Sequence, residues 1–140
     1  MTAGARLLEA AGHGIERLFS TELQPHLVVA EQFFEQVICA ALASLAEELN
    51  PPPAGEDFEP MTWAAIERGR RLTAASLAAI TRDAARVSYS LARRFEQFDA
   101  IITPMLADAP PHVGALPTDG DDIDGHFARM SALAPYVAED

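Results

Sequence analysis

Apolar positions in this chain recur mostly at helical spacing. Between residues 26 and 49 they fall at Leu27, Ala30, Phe34, Val37, Ile38, Ala41, Leu42, Leu45 and Leu49. Steps of three and four residues put such positions on one side of a helix. Pro25 is expected to open this helix, because a first turn does not need its missing N–H. The run Asn50-Pro51-Pro52-Pro53-Ala54-Gly55 ends it as a stiff, exposed link. A second long helix is predicted from 74 to about 98. Its stripe is Leu77, Ile80, Ala84, Val87, Leu91, Phe95 and Phe98, and Thr73 is its N-cap. Residues 61–69 read as a short helix with Trp63 and Ile66 facing inward. Residues 3–11 form another, stopped by Gly12-His13-Gly14, and residues 125–133 a last one, stopped by Pro135.

Two stretches break the helical period. In residues 15–19, Ile15, Arg17 and Phe19 alternate with Glu16 and Leu18. Residues 99–103 are a short β-branched run that Pro104 ends. Both are predicted strands, and helix, glycine turn, strand is an αβ unit. The expected fold class is therefore α/β, mostly α-helical, with two short strands at about 15–19 and 99–103. Two strands alone do not make a stable sheet. Ile101 and Ile102 need neighbours on both sides if their strand is central. The strands are thus expected to belong to a larger mixed sheet, and residues 1–140 to form a single partial domain. Its helical excursion spans about 24–98. An acidic loop rich in proline and glycine follows over about 104–125.

Nearly half the residues are apolar (49%) and 22% are charged, which argues for a folded chain rather than disorder. Net charge is −11, so nucleic acid and anionic membrane are expected to be poor partners. The acid is uneven. Between Arg94 and Arg129 no arginine or lysine occurs, while Glu96, Asp99, Asp108, Asp119, Asp121, Asp122 and Asp124 all fall there. This reads as a solvated acidic surface. A single cysteine, Cys39, excludes an internal disulfide and suits a reducing compartment. No uncharged run approaches bilayer length, and acid appears before any signal-like apolar segment forms. A soluble, cytoplasmic protein is the expectation.

Candidate chemistry is thin. Residues 118–125 (Thr-Asp-Gly-Asp-Asp-Ile-Asp-Gly) look like a calcium loop, but with Gly125 at loop position six, positions one and twelve become Gly120 and Ser131. A polar turn followed by an Asp124 helix cap fits better. The histidines His13, His26, His112 and His126 have no zinc-site spacing. No serine lies in a nucleophile elbow or a Gly/Ser-rich loop, and Ser88-Tyr89-Ser90 reads as helix surface. No cofactor or metal is expected.

The segment Phe95-Glu96-Gln97-Phe98-Asp99-Ala100-Ile101-Ile102-Thr103-Pro104-Met105, continued by Ala109-Pro110-Pro111-His112-Val113-Gly114, resembles the F-x-x-F/Y-D-x-h-h-T-P-T strand and following loop of the amidase signature hydrolases. The stretch from Ala5 through Gly12-His13-Gly14 to Glu16 resembles that family's A-x-x-L-E-x-L-G-H-x-V-E segment. Glu59-Pro60-Met61-Thr62 and Gly69-Arg70-Arg71-Leu72-Thr73-Ala74 resemble its E-P-x-T and G-x-x-L-S/T-A helix starts. The four anchors occur in the family's order. The resemblance implies hydrolysis of amide C–N bonds by a Ser–cis-Ser–Lys triad. This chain contains no lysine, and the family's triad and oxyanion segment lie upstream of the matching region. The implied function is a fragment of an amidase-type hydrolase that lacks nucleophile, base and oxyanion loop and is inactive alone. By analogy, Thr103, Pro104 and Met105 are the candidate substrate-pocket residues, with Met105 standing where the family has Thr. Implied partners are a complementing amidase half or further copies of the chain, joined through exposed apolar surface. The alternative is a stand-alone, non-catalytic helical interaction module.

Overall fold

The computed structural model describes the chain at residues 2–18 and 20–135, and the described residues form helices joined by loops. Helix α1 spans Thr2–Ala10, α2 Ser20–Glu48, α3 Pro60–Arg70, α4 Ala74–Phe95 and α5 Ile123–Leu133. A single 3-10 turn at Gly55–Asp57 interrupts the link between α2 and α3. The main pairings are α2 with α3, α2 with α4, and α3 with α5, so α2 is the shared wall.

Local chemistry sets the helix ends. Gly12 follows α1 with φ +93°, the left-handed conformation that glycine adopts without a Cβ clash. The amide of Gly12 reaches back to Glu9 O at 3.0 Å and that of His13 to Leu8 O at 3.0 Å, satisfying carbonyls the helix leaves open. Pro60 stands in the first turn of α3. Thr73 caps α4: its hydroxyl oxygen accepts from Ser76 N at 3.0 Å, while Thr73 N donates to Ser76 Oγ at 3.1 Å. Asp122, rather than Asp124, caps α5 by accepting from Gly125 N at 3.0 Å. Helix α2 begins before Pro25, which sits in its interior. Helix α4 stops at Phe95, and Phe98 N closes a turn on Phe95 O.

The core lies where α2, α3 and α5 meet. Cys39, Met61, Ala65 and Ile123 form it, with Leu42, Ala64, Leu72 and Phe127 packed around them. The α2–α3 contact is close because small residues face each other. A Cβ added at Gly69 would overlap the Cys39 carbonyl and lie 2.8 Å from Ala43 Cβ. Gly69 thus lets backbone approach backbone, and the buried Ala43 and Ala46 complete the flat contact surface.

The predicted α/β class is overturned. Residues 15–18 and 99–103 carry no strand, and no sheet occurs among the described residues; Phe19, the end of the first predicted strand, lies outside them. The physical reason is the lack of a ladder. β-branched residues favour a strand only when a neighbouring strand takes up their N–H and C=O groups. Neither segment has another extended segment paired with it, so both run as loop. Ile15, Ile101 and Ile102 remain exposed there. The amidase-like alternation of helix and strand is therefore absent among the described residues, whose architecture is helical.

Candidate functional site

The segment carrying the predicted pocket residues is held at few points. Ala107 N donates to Leu133 O at 2.8 Å, tying it to the end of α5. Farther along, Met61 N donates to Thr118 O at 3.2 Å, joining the acidic loop to α3. Thr103 and Met105 are exposed and Pro104 half-buried. Neither of the two clefts described below includes any of the three.

Side chains with chemical potential come together in two other places. The first is the α2–α4 seam. His26 Nε2 lies 2.9 Å from Ser90 Oγ, beside a cleft of about 270 Å³ lined by Leu18, Leu23, Leu91, Arg94 and Phe95. Sequence spacing hid this pair, because its members are 64 positions apart. A serine beside a histidine suggests a nucleophile and its base, but the hydrogen bonds run the other way. Ser90 Oγ donates to Val87 O at 3.1 Å. Its only proton is then used, so the hydroxyl accepts from His26 Nε2–H. His26 Nδ1 is buried with no partner. It would be the bare nitrogen in this tautomer, and it faces away from the serine. Among the described residues, no carboxylate orients the ring. Ser90 also lies inside α4, where the backbone N–H groups an oxyanion would need are bonded within the helix. The pair is a polar clasp between two helices. A second, shallow cleft lies at the end of α4, lined by Arg93, Arg94, Glu96 and Gln97.

The second place is centred on Arg68 of α3. Its guanidinium pairs with Glu35 of α2 through Nη1 and with Asp124 of α5 through Nη2, the latter at 2.6 Å. Burial works against the charge, but the hydrogen bonds and charge pairing with Asp124 and Glu35 outweigh it and hold the Arg68 pKa above its ordinary value. Two residues on, Arg70 bonds Glu47 of α2 and Glu67, and its guanidinium lies 5.2 Å from the Trp63 ring centre. Cys39 is fully buried near this cluster. Burial pushes its thiol pKa up; Arg68 lowers it and Glu35 raises it by lesser amounts. A thiol held neutral is a poor nucleophile. These arginines are structural rivets with their charges taken up. Among the described residues, no group of three or more His, Cys, Asp or Glu side chains is arranged to hold a metal ion.

What remains is an apolar surface. Helix α2 carries one stripe at Leu23, Leu27, Ala30, Phe34, Ile38, Ala41 and Leu45, in steps of three and four, and Leu49 just past its end continues it. The front of the stripe is covered: Leu23, Leu27 and Ala30 are 8%, 4% and 9% exposed. The rear is open. Phe34, Ile38, Leu45 and Leu49 are 41%, 36%, 59% and 50% exposed. Residues 23–48 are also long and apolar enough to cross a membrane by length and composition. Here, however, the opposite face of this segment is engaged by α3 through Cys39, Ala43 and Ala46.

No known family model matches the chain, and no curated protein or solved structure matches it either. The likeness to the amidase signature hydrolases therefore rests on the residue motifs alone.

Proposed function

We propose that this chain is a non-catalytic portion of an amide-hydrolysing enzyme of amidase-signature type, whose nucleophile, base and oxyanion donors come from residues outside it. What supports this most is where the resembling motifs fall. The Glu59-Pro60 motif opens α3 with Pro60 in its first turn. The Gly69-to-Ala74 motif supplies both the glycine of the α2–α3 contact and the Thr73 cap of α4. Motifs read as helix starts act as helix starts here. The serines fit a passive role as well. Ser76 is spent in the α4 capping box, and Ser90 in the clasp with His26. The open rear of the α2 stripe and the exposed Ile101 and Ile102 give the remainder of such an enzyme surface to cover.

The test is direct. The purified chain is assayed for ammonia release from acetamide and benzamide, alone and mixed with a polypeptide carrying the Ser–Ser–Lys region of an amidase encoded beside it. The reading predicts no release by the chain alone and release on mixing. Hydrolysis by the chain alone that is lost in Ser90→Ala would overturn it.

A second reading, a stand-alone helical interaction module, is favoured by one observation. Helices α3 and α4 both pack on α2, with Cys39 at 0% exposure. That reading predicts a partner with no hydrolase chemistry.

A further inference from the structure

We infer that the open rear of the α2 stripe, Phe34, Ile38, Ala41, Leu45 and Leu49, docks an amphipathic helix with basic residues along the edges of its apolar face. This rests on the surface of α2 and holds whether or not the hydrolase reading does. Three observations carry it. First, the stripe is a single ridge whose front half is already buried where α4 packs on α2. A helix laid on the rear would extend a packing mode the fold already uses, with the i, i+4, i+7 anchors of helix-in-groove recognition. The open stretch is about four turns long. Second, α2 contains no lysine or arginine in 29 residues. Glu31 and Glu48 stand near the two ends of the open stretch, on opposite edges, while Glu35 and Glu47 are already tied to Arg68 and Arg70. A helix with cationic edges would meet these acids, which steers and orients association. Third, charge disfavours a second copy. A net charge of −11 on each copy opposes their association.

The probe is a fluorescein-labelled peptide about four turns long, with leucine on one face and lysine along both edges of it. Its twin carries glutamate in place of lysine. Binding to the intact chain is read by anisotropy. The lysine peptide is expected to bind at least about tenfold tighter than the glutamate twin. Leu45→Asp separates docking from general attraction to an acidic protein. It adds negative charge, so general attraction would tighten binding; loss of a stripe contact would weaken it about tenfold. Leu49→Asp, at the end of the helix, serves as a second variant should Leu45→Asp lose its helical circular dichroism. Glu31→Lys with Glu48→Lys is expected to narrow or reverse the preference between the peptides. Equal binding of both peptides, tighter binding by Leu45→Asp, or a preference unmoved by the charge reversal would overturn the inference. So would a dimer of the chain that Leu45→Asp splits, or stripe-dependent binding to phosphatidylcholine vesicles in place of the peptide.

Discussion

Gly69 and Cys39 show how single positions decide the packing. At Gly69 the missing Cβ is the reason α3 can touch the backbone of α2 at Cys39. Gly69→Ala would push the two helices apart. Overpacking of this kind costs about 1–3 kcal/mol, against which the small gain in helix propensity is minor. Urea unfolding should place the variant's midpoint clearly below wild type; an unchanged midpoint would mean the close approach is not as described. Cys39 makes a pH prediction. Burial raises its folded pKa above its usual value of 9.0. Below pH 9 both folded and unfolded states hold the proton, so the thiol adds no pH dependence. Above it the unfolded chain ionises first, and stability falls as pH rises towards the folded pKa. Unfolding free energies measured on either side of pH 9 should show this decline in wild type and a shallower one in Cys39→Ala. Gly69 was visible in the sequence only as a member of a motif. Its role was not, because that depends on what α2 places opposite it.

The helices meet through charge as well as through apolar contact, and Arg68 is the clearest case. Its two ion pairs are not equivalent. Glu35 is 29% exposed and Asp124 81% exposed. A pair screened by solvent contributes between nothing and about 1 kcal/mol. A double-mutant cycle between Arg68→Gln and Glu35→Gln should therefore give a coupling of about 1 kcal/mol, and the cycle with Asp124→Asn close to zero. Equal couplings would mean that exposure does not govern this cluster. The helices themselves were legible from spacing: the stripes of α2 and α4 and the Thr73 cap follow from local rules. The start of α2 was not. Pro25 reads as a first-turn residue, yet the apolar stripe runs back to Leu23, and packing of Leu23 against the α4 side outweighs the one backbone bond that proline forfeits. The α5 cap moved from Asp124 to Asp122 for a related reason, since Asp124 is drawn to Arg68.

In the molecule as a whole, the missing sheet and the open stripe are two sides of one fact. A run such as Ile101-Ile102-Thr103 carries strand propensity, but strand formation is a property of pairs, which propensity alone does not supply. The expected strands failed for that reason. The His26–Ser90 clasp was out of reach of sequence spacing, since α2 and α4 are separated in the chain by α3 and meet only in the fold. The central claim is that catalysis does not reside in this chain and that the matching catalytic region is encoded with it. The reading frame around the Met1 codon tests it most directly. The DNA preceding that codon should encode, in the same or an adjoining frame, a Gly/Ser-rich stretch with paired serines and an upstream lysine. An unrelated gene there, together with a chain that binds a partner devoid of those residues, would contradict the claim and leave the helical module as the function.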